Sequence, residues 1–494
     1  MKQLADLLNG FASNLPTLSI NGLSLDNRQI QVGMAFVAVQ GTRQHGLSYA
    51  AAAVEAGAIV VLYEPVADLE LPVVSVPLVA VTNLPKVLGL IAQRFYQVTA
   101  ADLYVIGITG TDGKTSTTHF IAEALDYLGE QAAVLGTLGV GKPGALAKGT
   151  HTTPDAIQVQ KQFNDLKQQG FNTVAMEVSS HALDQGRVTG VQFDVAVLTN
   201  LTRDHLDYHG TVEAYAEAKR KLFHWPALQH VVLNLDDAFG RRLAEELQAS
   251  SVQVWGYGVG DAAQYPAHSV IATAAKFDAQ GIQATVVTPL GSGELRAPVL
   301  GRFNLHNLLA ALSSLLAKGL PLDTALAALK HVQTVPGRMQ RVQVGKAEDV
   351  LVVVDFAHTP TALEQALRAA KAHTTGRLIC VFGCGGDRDA GKRPLMAKIA
   401  EQEADQIIVT DDNPRTENPQ TIFSHIQAGF VQAELVSFEH DRAAAIRLAI
   451  QQAKQGDTVV IAGKGHETVQ ILAYRSIPFD DRTQAALALQ EYGA

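Results

Sequence analysis

Short apolar runs separated by helix-length polar stretches recur along the whole chain, and their order predicts where its sheets lie. In the first hundred residues, Ala35-Phe36-Val37-Ala38-Val39 and Ile59-Val60-Val61-Leu62 read as strands, with an Ala-rich helical stretch over 49–56 between them. A second series begins at Val105-Ile106-Gly107-Ile108 and continues with strand-like runs at 173–176, 195–198 and 231–233. Their alternation with helical stretches predicts a mostly parallel sheet covered by helices on both faces. The helical region 322–331 then meets a Pro-Gly break at Val335-Pro336-Gly337-Arg338, and a third series opens with strands at 350–354, 378–382, 406–409 and 458–461. The expected fold class is α/β, in three domains: 1–98, 99–334 and 335–494.

Each strand of the third series runs straight into a polar loop. These loops are Asp355-Phe356-Ala357-His358, Gly383-Cys384-Gly385-Gly386-Asp387-Arg388, Asp411-Asp412-Asn413-Pro414-Arg415 and Gly463-Lys464-Gly465-His466-Glu467. In a parallel sheet all four fall on the carboxyl edge, where ligands bind.

A length of 494 residues gives room for about three separate cores. With 47% hydrophobic and 18% charged residues and no polar low-complexity tract, the whole chain is expected to fold. The 39 basic against 48 acidic residues give a net charge of −9, so no general basic field argues for nucleic acid or an anionic membrane surface. Phosphate binding must come from local sites. The first residues meet Asp6 and then Asn9-Gly10 before an export segment forms, and apolar runs such as Leu351-Val352-Val353-Val354 are too short to span a bilayer. Cys380 and Cys384 alone cannot supply a four-ligand zinc site or a disulfide framework, which makes a reducing cytoplasm the expected location.

Candidate chemistry starts at Gly110-Thr111-Asp112-Gly113-Lys114-Thr115, directly after a strand-like run. Glycines let backbone N–H groups turn toward phosphate oxygens, a lysine neutralises their charge, and a threonine offers a hydroxyl to Mg²⁺. The loop is shorter than the common pattern, which would place glycine where Ile108 stands, and a Gly-rich turn with a solvated lysine is the plainer reading. Glu177 ends the run 173–176, a position from which a carboxylate reaches Mg²⁺ on bound phosphates. The stretch Asn200 to His209 holds two histidines and two aspartates after another strand, fitting a metal or phosphate site or a hydrogen-bonded loop core. Lys219 lies one turn after Tyr215, and from spacing alone it is a solvated helix lysine. Gly383-Cys384-Gly385-Gly386 falls short of a dinucleotide fingerprint, which needs glycine at Arg388.

Taken in order, these motifs resemble one family, the ATP-dependent Mur ligases of bacterial cell-wall synthesis, and within it the UDP-N-acetylmuramoyl-tripeptide synthetases. The resemblance extends over nearly the whole chain. It rests on 110–115, His151-Thr152-Thr153, Met176-Glu177-Val178-Ser179-Ser180-His181, 200–210, 215–219, Gly301-Arg302-Phe303-Asn304, Gly337-Arg338-Met339, 355–360, 385–388, 412–415 and 463–467. It implies a central P-loop ATPase domain and a Rossmann-like C-terminal domain. It also implies a carbamylated lysine at Lys219, which with His205 serves a second Mg²⁺, while Thr115 and Glu177 serve the first. Gly110, Thr111, Asp112, Gly113, Lys114, Thr115 and Ser116 would hold ATP, joined by Asn304 at adenine and by Arg338 and Asp355. Lys114, Lys219 and His205 would be the catalytic side chains. Leu25, Asn27, Thr152, Thr153, Ser179, Gln185 and Arg187 would bind the muramyl-dipeptide substrate. The chain departs from the family at Asp112, where asparagine is usual, at Asn27 within Asp26-Asn27-Arg28, where serine is usual, and at His151, where asparagine is frequent.

The implied reaction joins an amino acid to the γ-carboxylate of D-glutamate in UDP-N-acetylmuramoyl-L-alanyl-D-glutamate, through an acyl phosphate. The loop Asp412-Asn413-Pro414-Arg415, with Arg388, Gly463 and Glu467, would take the amino acid, and its arginine resembles enzymes that use meso-diaminopimelate. A guanidinium holds the distal carboxylate that L-lysine lacks. Addition of L-lysine or another diamino acid is the alternative within this reaction. A folylpolyglutamate synthetase shares the nucleotide loop, but the first domain and the 412–415 loop point away from it. A nucleotide-dependent switch without ligation is the alternative of another class, and it has no use for four ligand loops. A monomer is the expected state.

Overall fold

The structure, a computed structural model, describes residues 1–41, 44–149, 151–344 and 350–492. Contacts within the chain gather into two compact units, Met1–Tyr257 with Ser313–Leu320, and Gly258–Leu312 with Pro321–Ala494. The fold is α/β throughout.

Besides a two-stranded antiparallel pair, Lys2–Gln3 with Ser19–Ile20, the first unit carries two larger sheets. Near the N-terminus, Leu23–Ser24, Ala35–Ala38, Val60–Tyr63 and Leu78–Ala80 lie side by side, all parallel. Successive side chains of a strand point to opposite faces, and the core divides accordingly. Ala35 and Val37 pack with Leu88 and Ile91 of the helix Leu84–Tyr96, while Phe36 and Ala38 pack with Ala50 and Ala53 of the helix Ala50–Glu55.

In the larger sheet of this unit, Ala132–Gly136, Thr173–Glu177, Tyr104–Thr109, Val195–Leu198, His230–Asn234 and Gln253–Val259 follow one another in parallel. An antiparallel hairpin, Gly139–Lys142 with Ala145–Ala147, extends one edge. Tyr104–Thr109 is central, with Glu177 paired to Ile108 and Leu198 to Thr109. The residues that follow these strands therefore emerge together at the carboxyl edge, where open parallel sheets bind ligands.

The second unit contains an antiparallel meander, Ser269–Asp278, Gly281–Thr288 and Gly291–Ala297, which the hydrophobic pattern did not predict. Its main sheet runs Gln340–Val342, Leu351–Asp355, Thr458–Ala462, Leu378–Phe382, Gln406–Thr410, Ser437–Glu439, parallel except at the first strand. Val353, Cys380 and Val460 face the helices Pro360–Lys371 and Lys392–Glu403, and Val352, Val354, Ile379 and Ile461 face Arg442–Gln452 and Asp481–Tyr492. Runs buried on both faces are what parallel strands require. Cys380 and Cys384 are buried free thiols, both pushed up to about 12 by burial.

Candidate active site

The phosphate loop turns on Gly110, at φ 151, and Gly113, at φ 82, and delivers Lys114 to the first turn of the helix Lys114–Tyr127. A Cβ at Gly110 would lie 1.8 Å from Thr199 Oγ1, so the loop passes where only glycine fits. Thr199 Oγ1 donates to Asp112 O at 2.5 Å, and Asp112 N donates to Asn200 Oδ1 at 2.9 Å. The stretch after the neighbouring strand thus shapes the loop. Lys114 Nζ donates to Gly110 O and Thr111 O at 2.9 and 2.8 Å, and burial lowers its pKa against the opposing pull of Glu177.

Thr115 and Glu177 meet as expected, Oγ1 donating to Oε2 at 3.0 Å. Thr137 adds its N–H to Oε1 at 2.8 Å and its hydroxyl to Oε2 at 3.2 Å. Burial raises the Glu177 pKa against these donors and Lys114. The oxygen set suits Mg²⁺, a hard cation held by one or two carboxylates together with substrate phosphates. Among the described residues no group of three or more His, Cys, Asp or Glu is placed to hold a metal by itself.

Lys219 is not a solvated helix lysine. It is 1% exposed, donates to Gly110 O at 2.7 Å, and lies 4.5 Å from the centre of the Tyr215 ring. Burial, and then the nearby Lys114 charge, hold its pKa well below the usual lysine value. Tyr215 OH lies 3.2 Å from Thr111 Oγ1, which places its helix, Val212–Arg220, against the phosphate loop. His205 sits at φ 52 ahead of the short helix Leu206–His209, and its ring belongs to a cluster with His181 and Tyr215, at centroid distances of 5.0 and 5.9 Å. His181 is held below the usual histidine range by burial and by the neighbouring histidines.

The muramyl-dipeptide candidates form a chain of hydrogen bonds beside Glu177. Thr153 Oγ1 donates to Glu177 O at 2.9 Å and accepts from Ser179 N at 3.0 Å, while Arg187 donates to Thr153 O at 3.0 Å and to Gln185 Oε1 at 2.9 Å. Thr152 Oγ1 lies 3.0 Å from Thr137 Oγ1. Asn27 opens the 3₁₀ turn Asn27–Gln29 next to the half-buried Leu25, and Asp26 beside it accepts a forked pair from Arg28.

In the second unit, Asp355 ends its strand with Oδ2 accepting Met339 N at 2.6 Å and Oδ1 accepting Ala357 N at 2.8 Å, and burial raises its pKa against these bonds. The Arg338 guanidinium lies 5.5 Å from the centre of the Phe356 ring. Asn304 is 2% exposed and its amide is engaged at the start of the helix Arg302–Ala317, donating to Leu300 O just before it at 2.7 Å and accepting from Asn307 within it at 2.9 Å.

The loops that follow Leu378–Phe382, Gln406–Thr410 and Thr458–Ala462 do converge. Arg415 donates to Gly386 O at 2.9 Å, Asn413 donates to Glu467 Oε2 at 2.9 Å, and a Cβ on Gly463 would lie 2.5 Å from Asp412 Oδ2. Pro414 lies between Asn413 and Arg415, and Gly386 passes so close to it that a Cβ there would meet Pro414 O at 1.9 Å. The exposed Arg388 donates to Asp387 O at 3.4 Å. Burial pushes Glu467 up, but hydrogen bonds from Lys464 and Asn413 together with the nearby Lys464 and His466 charges hold it below the usual carboxylate range.

Three buried cations between these loops escape sequence reasoning. Arg393 makes a forked pair with Glu417, at 2.7 and 2.6 Å, and reaches Gly385 O at 3.2 Å. Arg442 pairs with Asp481 at 2.7 and 2.8 Å, both fully buried, and donates to Ala462 O at 3.0 Å. Lys464 Nζ reaches Asn413, Glu467 and Val469. The signal available was position alone: Lys464 stands between glycines at a strand end, and the arginines sit early in helices after polar loops.

Three family models match successive parts of the chain: the Mur ligase family catalytic domain at 19–96, the Mur ligase middle domain at 108–315 and the Mur ligase glutamate ligase domain at 337–465. A Pseudomonas aeruginosa protein named UDP-N-acetylmuramoyl-L-alanyl-D-glutamate--2,6-diaminopimelate ligase is 51% identical over 472 residues, covering 96% of this chain and 95% of its own. A Coxiella burnetii protein of the same name is 49% identical over 491 residues, 99% of each chain. A solved structure bearing that name superposes with a TM-score of 0.79 at 35% identity over all of both chains. A Mycobacterium tuberculosis folylpolyglutamate synthase shares the fold, with a TM-score of 0.58 at 17% identity over 82% of this chain and 94% of its own. Near-half identity along almost the full length, with the domain models falling in one continuous order, makes this chain a member of the Mur ligase family.

Proposed function

We propose that the chain is an ATP-dependent amide ligase that adds meso-diaminopimelate to UDP-N-acetylmuramoyl-L-alanyl-D-glutamate in the synthesis of peptidoglycan precursors. The observation that carries this reading is the buried Lys219 amine, 2.7 Å from Gly110 O at the start of the phosphate loop. A bare ammonium there stands beside Lys114 and repels it. Adding CO₂ to the neutral amine releases one proton and leaves a carbamate, an anionic oxygen ligand suited to a hard cation.

A carboxylate is a poor electrophile and must first be activated. One oxygen of the D-glutamate γ-carboxylate attacks the γ-phosphorus of ATP, ADP leaves, and an acyl phosphate forms. Lys114 and the backbone N–H groups of 110–115 would offset the repulsion between the two anions. Thr115 and Glu177, and His205 with the Lys219 carbamate, would hold Mg²⁺, which would supply further charge neutralisation. Thr152, Thr153, Ser179, Gln185 and Arg187 would hold the dipeptide, with Leu25 and Asn27 at the uridine end. The amine of diaminopimelate then attacks the acyl carbon and gives up one proton, a tetrahedral intermediate collapses, and phosphate departs with the former carboxylate oxygen and that proton. Arg415 and Arg388 would hold the distal carboxylate, with Asp412, Asn413, Pro414, Gly463 and Glu467 around the rest of the amino acid. Asn304, Arg338 and Asp355 would serve ATP.

Division into 1–98, 99–334 and 335–494, a monomeric state and a cytoplasmic location complete the reading; among the described residues no helix is long and apolar enough to cross a membrane. The test is isotope transfer. With ¹⁸O in the γ-carboxylate, the released phosphate carries one ¹⁸O atom if an acyl phosphate forms, and phosphate free of ¹⁸O rules that intermediate out.

A further inference from the structure

Lys464 is fully buried, and its ammonium has three partners: Asn413 Oδ1 at 3.0 Å, Glu467 Oε2 at 2.8 Å and Val469 O at 2.7 Å. An ammonium has three protons, so no donor remains for a ligand. The bonds have directional consequences. Asn413 Oδ1 accepts from both Lys464 and Ile471 N, the latter at 3.0 Å, which turns Nδ2 toward Glu467. Glu467 Oε2 is thereby taken twice, and among the described residues Oε1 has no donor.

The hairpin Val469–Leu472 with Arg475–Pro478 continues this arrangement. Gln470 Nε2 donates to Asp412 O at 2.8 Å, Arg415 N donates to Ile471 O at 3.1 Å, and Ala473 N donates to Arg415 O at 2.6 Å. Arg415 sits at φ 52, a conformation costing a non-glycine residue about 1 kcal/mol, so its backbone needs such bracketing.

We propose that Lys464, together with the hairpin it anchors, is a positioning device for diamino-acid selection, setting Asn413, Arg415 and Glu467 without touching the substrate. The inference rests on the reading that these three side chains take the diamino acid. Removing the ammonium leaves the Glu467 carboxylate and the Asn413 amide without their shared donor, and both side chains gain freedom that must be lost again on binding.

The test is steady-state ligation by the full chain and by two variants, Lys464→Met and Gln470→Ala. The KM for meso-diaminopimelate should rise roughly thirtyfold in Lys464→Met, the scale for truncating one partner of a buried charged hydrogen bond. Gln470→Ala removes a neutral bond and should raise it about fivefold. In both, kcat at saturating diaminopimelate and the KM for ATP should stay within about threefold, because the phosphate loop is untouched. An unchanged KM for diaminopimelate, or an equal loss in all parameters, overturns the inference. Should Lys464→Met fail to fold, Gln470→Ala decides by the same criteria. Wild-type chain that does not ligate diaminopimelate strikes instead at the reading beneath.

Discussion

Lys219 carries the heaviest chemical demand. As an ammonium it has no lone pair for a metal, and its lowered pKa makes the neutral amine that reacts with CO₂ more accessible near neutral pH. Lys219→Ala should abolish ligation while leaving the melting temperature close to wild type, since the change removes a buried charge along with its packing. A carbamate signal in ¹³C NMR of wild type equilibrated with ¹³CO₂, absent from the variant, is the direct check; full activity of the variant without added carboxylate counts against the role. Glu177 gives a second expectation. Its raised pKa means that protonation, and with it loss of the proposed Mg²⁺ ligand, begins at higher pH than for an ordinary carboxylate as pH falls. Glu177→Gln should raise the Mg²⁺ concentration needed for half-maximal activity roughly 10- to 100-fold, read from a magnesium titration. Helical spacing placed Lys219 one turn from Tyr215 but could not disclose the phosphate loop above it, so its burial was invisible until the elements were assembled.

The loops at the strand ends are where sequence and structure agree most closely, because a polar run directly after a buried parallel strand has only the carboxyl edge to occupy. Their mutual wiring was not legible. Nothing in Asp412-Asn413-Pro414-Arg415 reveals that a hairpin beginning at Val469 would hydrogen-bond to its backbone, as Gln470 does to Asp412 O across 58 residues. Gly110→Ala tests the tightest of these passages: the added methyl meets Thr199 Oγ1 at 1.8 Å, and that hydroxyl is already committed to Asp112 O. Loss of ATP binding in calorimetry is expected, and wild-type affinity would show that the loop relaxes freely. Arg415→Ala should cost about 2–4 kcal/mol in selectivity for diaminopimelate over L-lysine, the scale for truncating one partner of a buried charge pair. Competition between the two amino acids measures it.

The parallel sheets were readable because strands buried on both faces appear as unbroken apolar runs. The meander 269–297 was not, since Ser269–Asp278 turns outward after four buried residues and its Ala, Thr and Lys positions carry no strong period. The fully buried Arg442–Asp481 pair joins the last helix to two strand ends, where Arg442 also donates to Asp411 O and Ala462 O. Asp481→Ala leaves that guanidinium unpaired and should cost about 3–5 kcal/mol, seen as faster hydrogen exchange in Arg442–Gln452 and Asp481–Tyr492. Unchanged exchange there would mean that the guanidinium finds another partner.

The most direct measurement of what the chain does is mass spectrometry of the products formed from UDP-N-acetylmuramoyl-L-alanyl-D-glutamate, ATP and an equimolar mixture of free amino acids that includes meso-diaminopimelate and L-lysine. The expected result is one nucleotide-linked product, heavier by a diaminopimelate residue, formed together with ADP and phosphate. A lysine adduct as the main product, or ATP hydrolysis with no new amide, would contradict it.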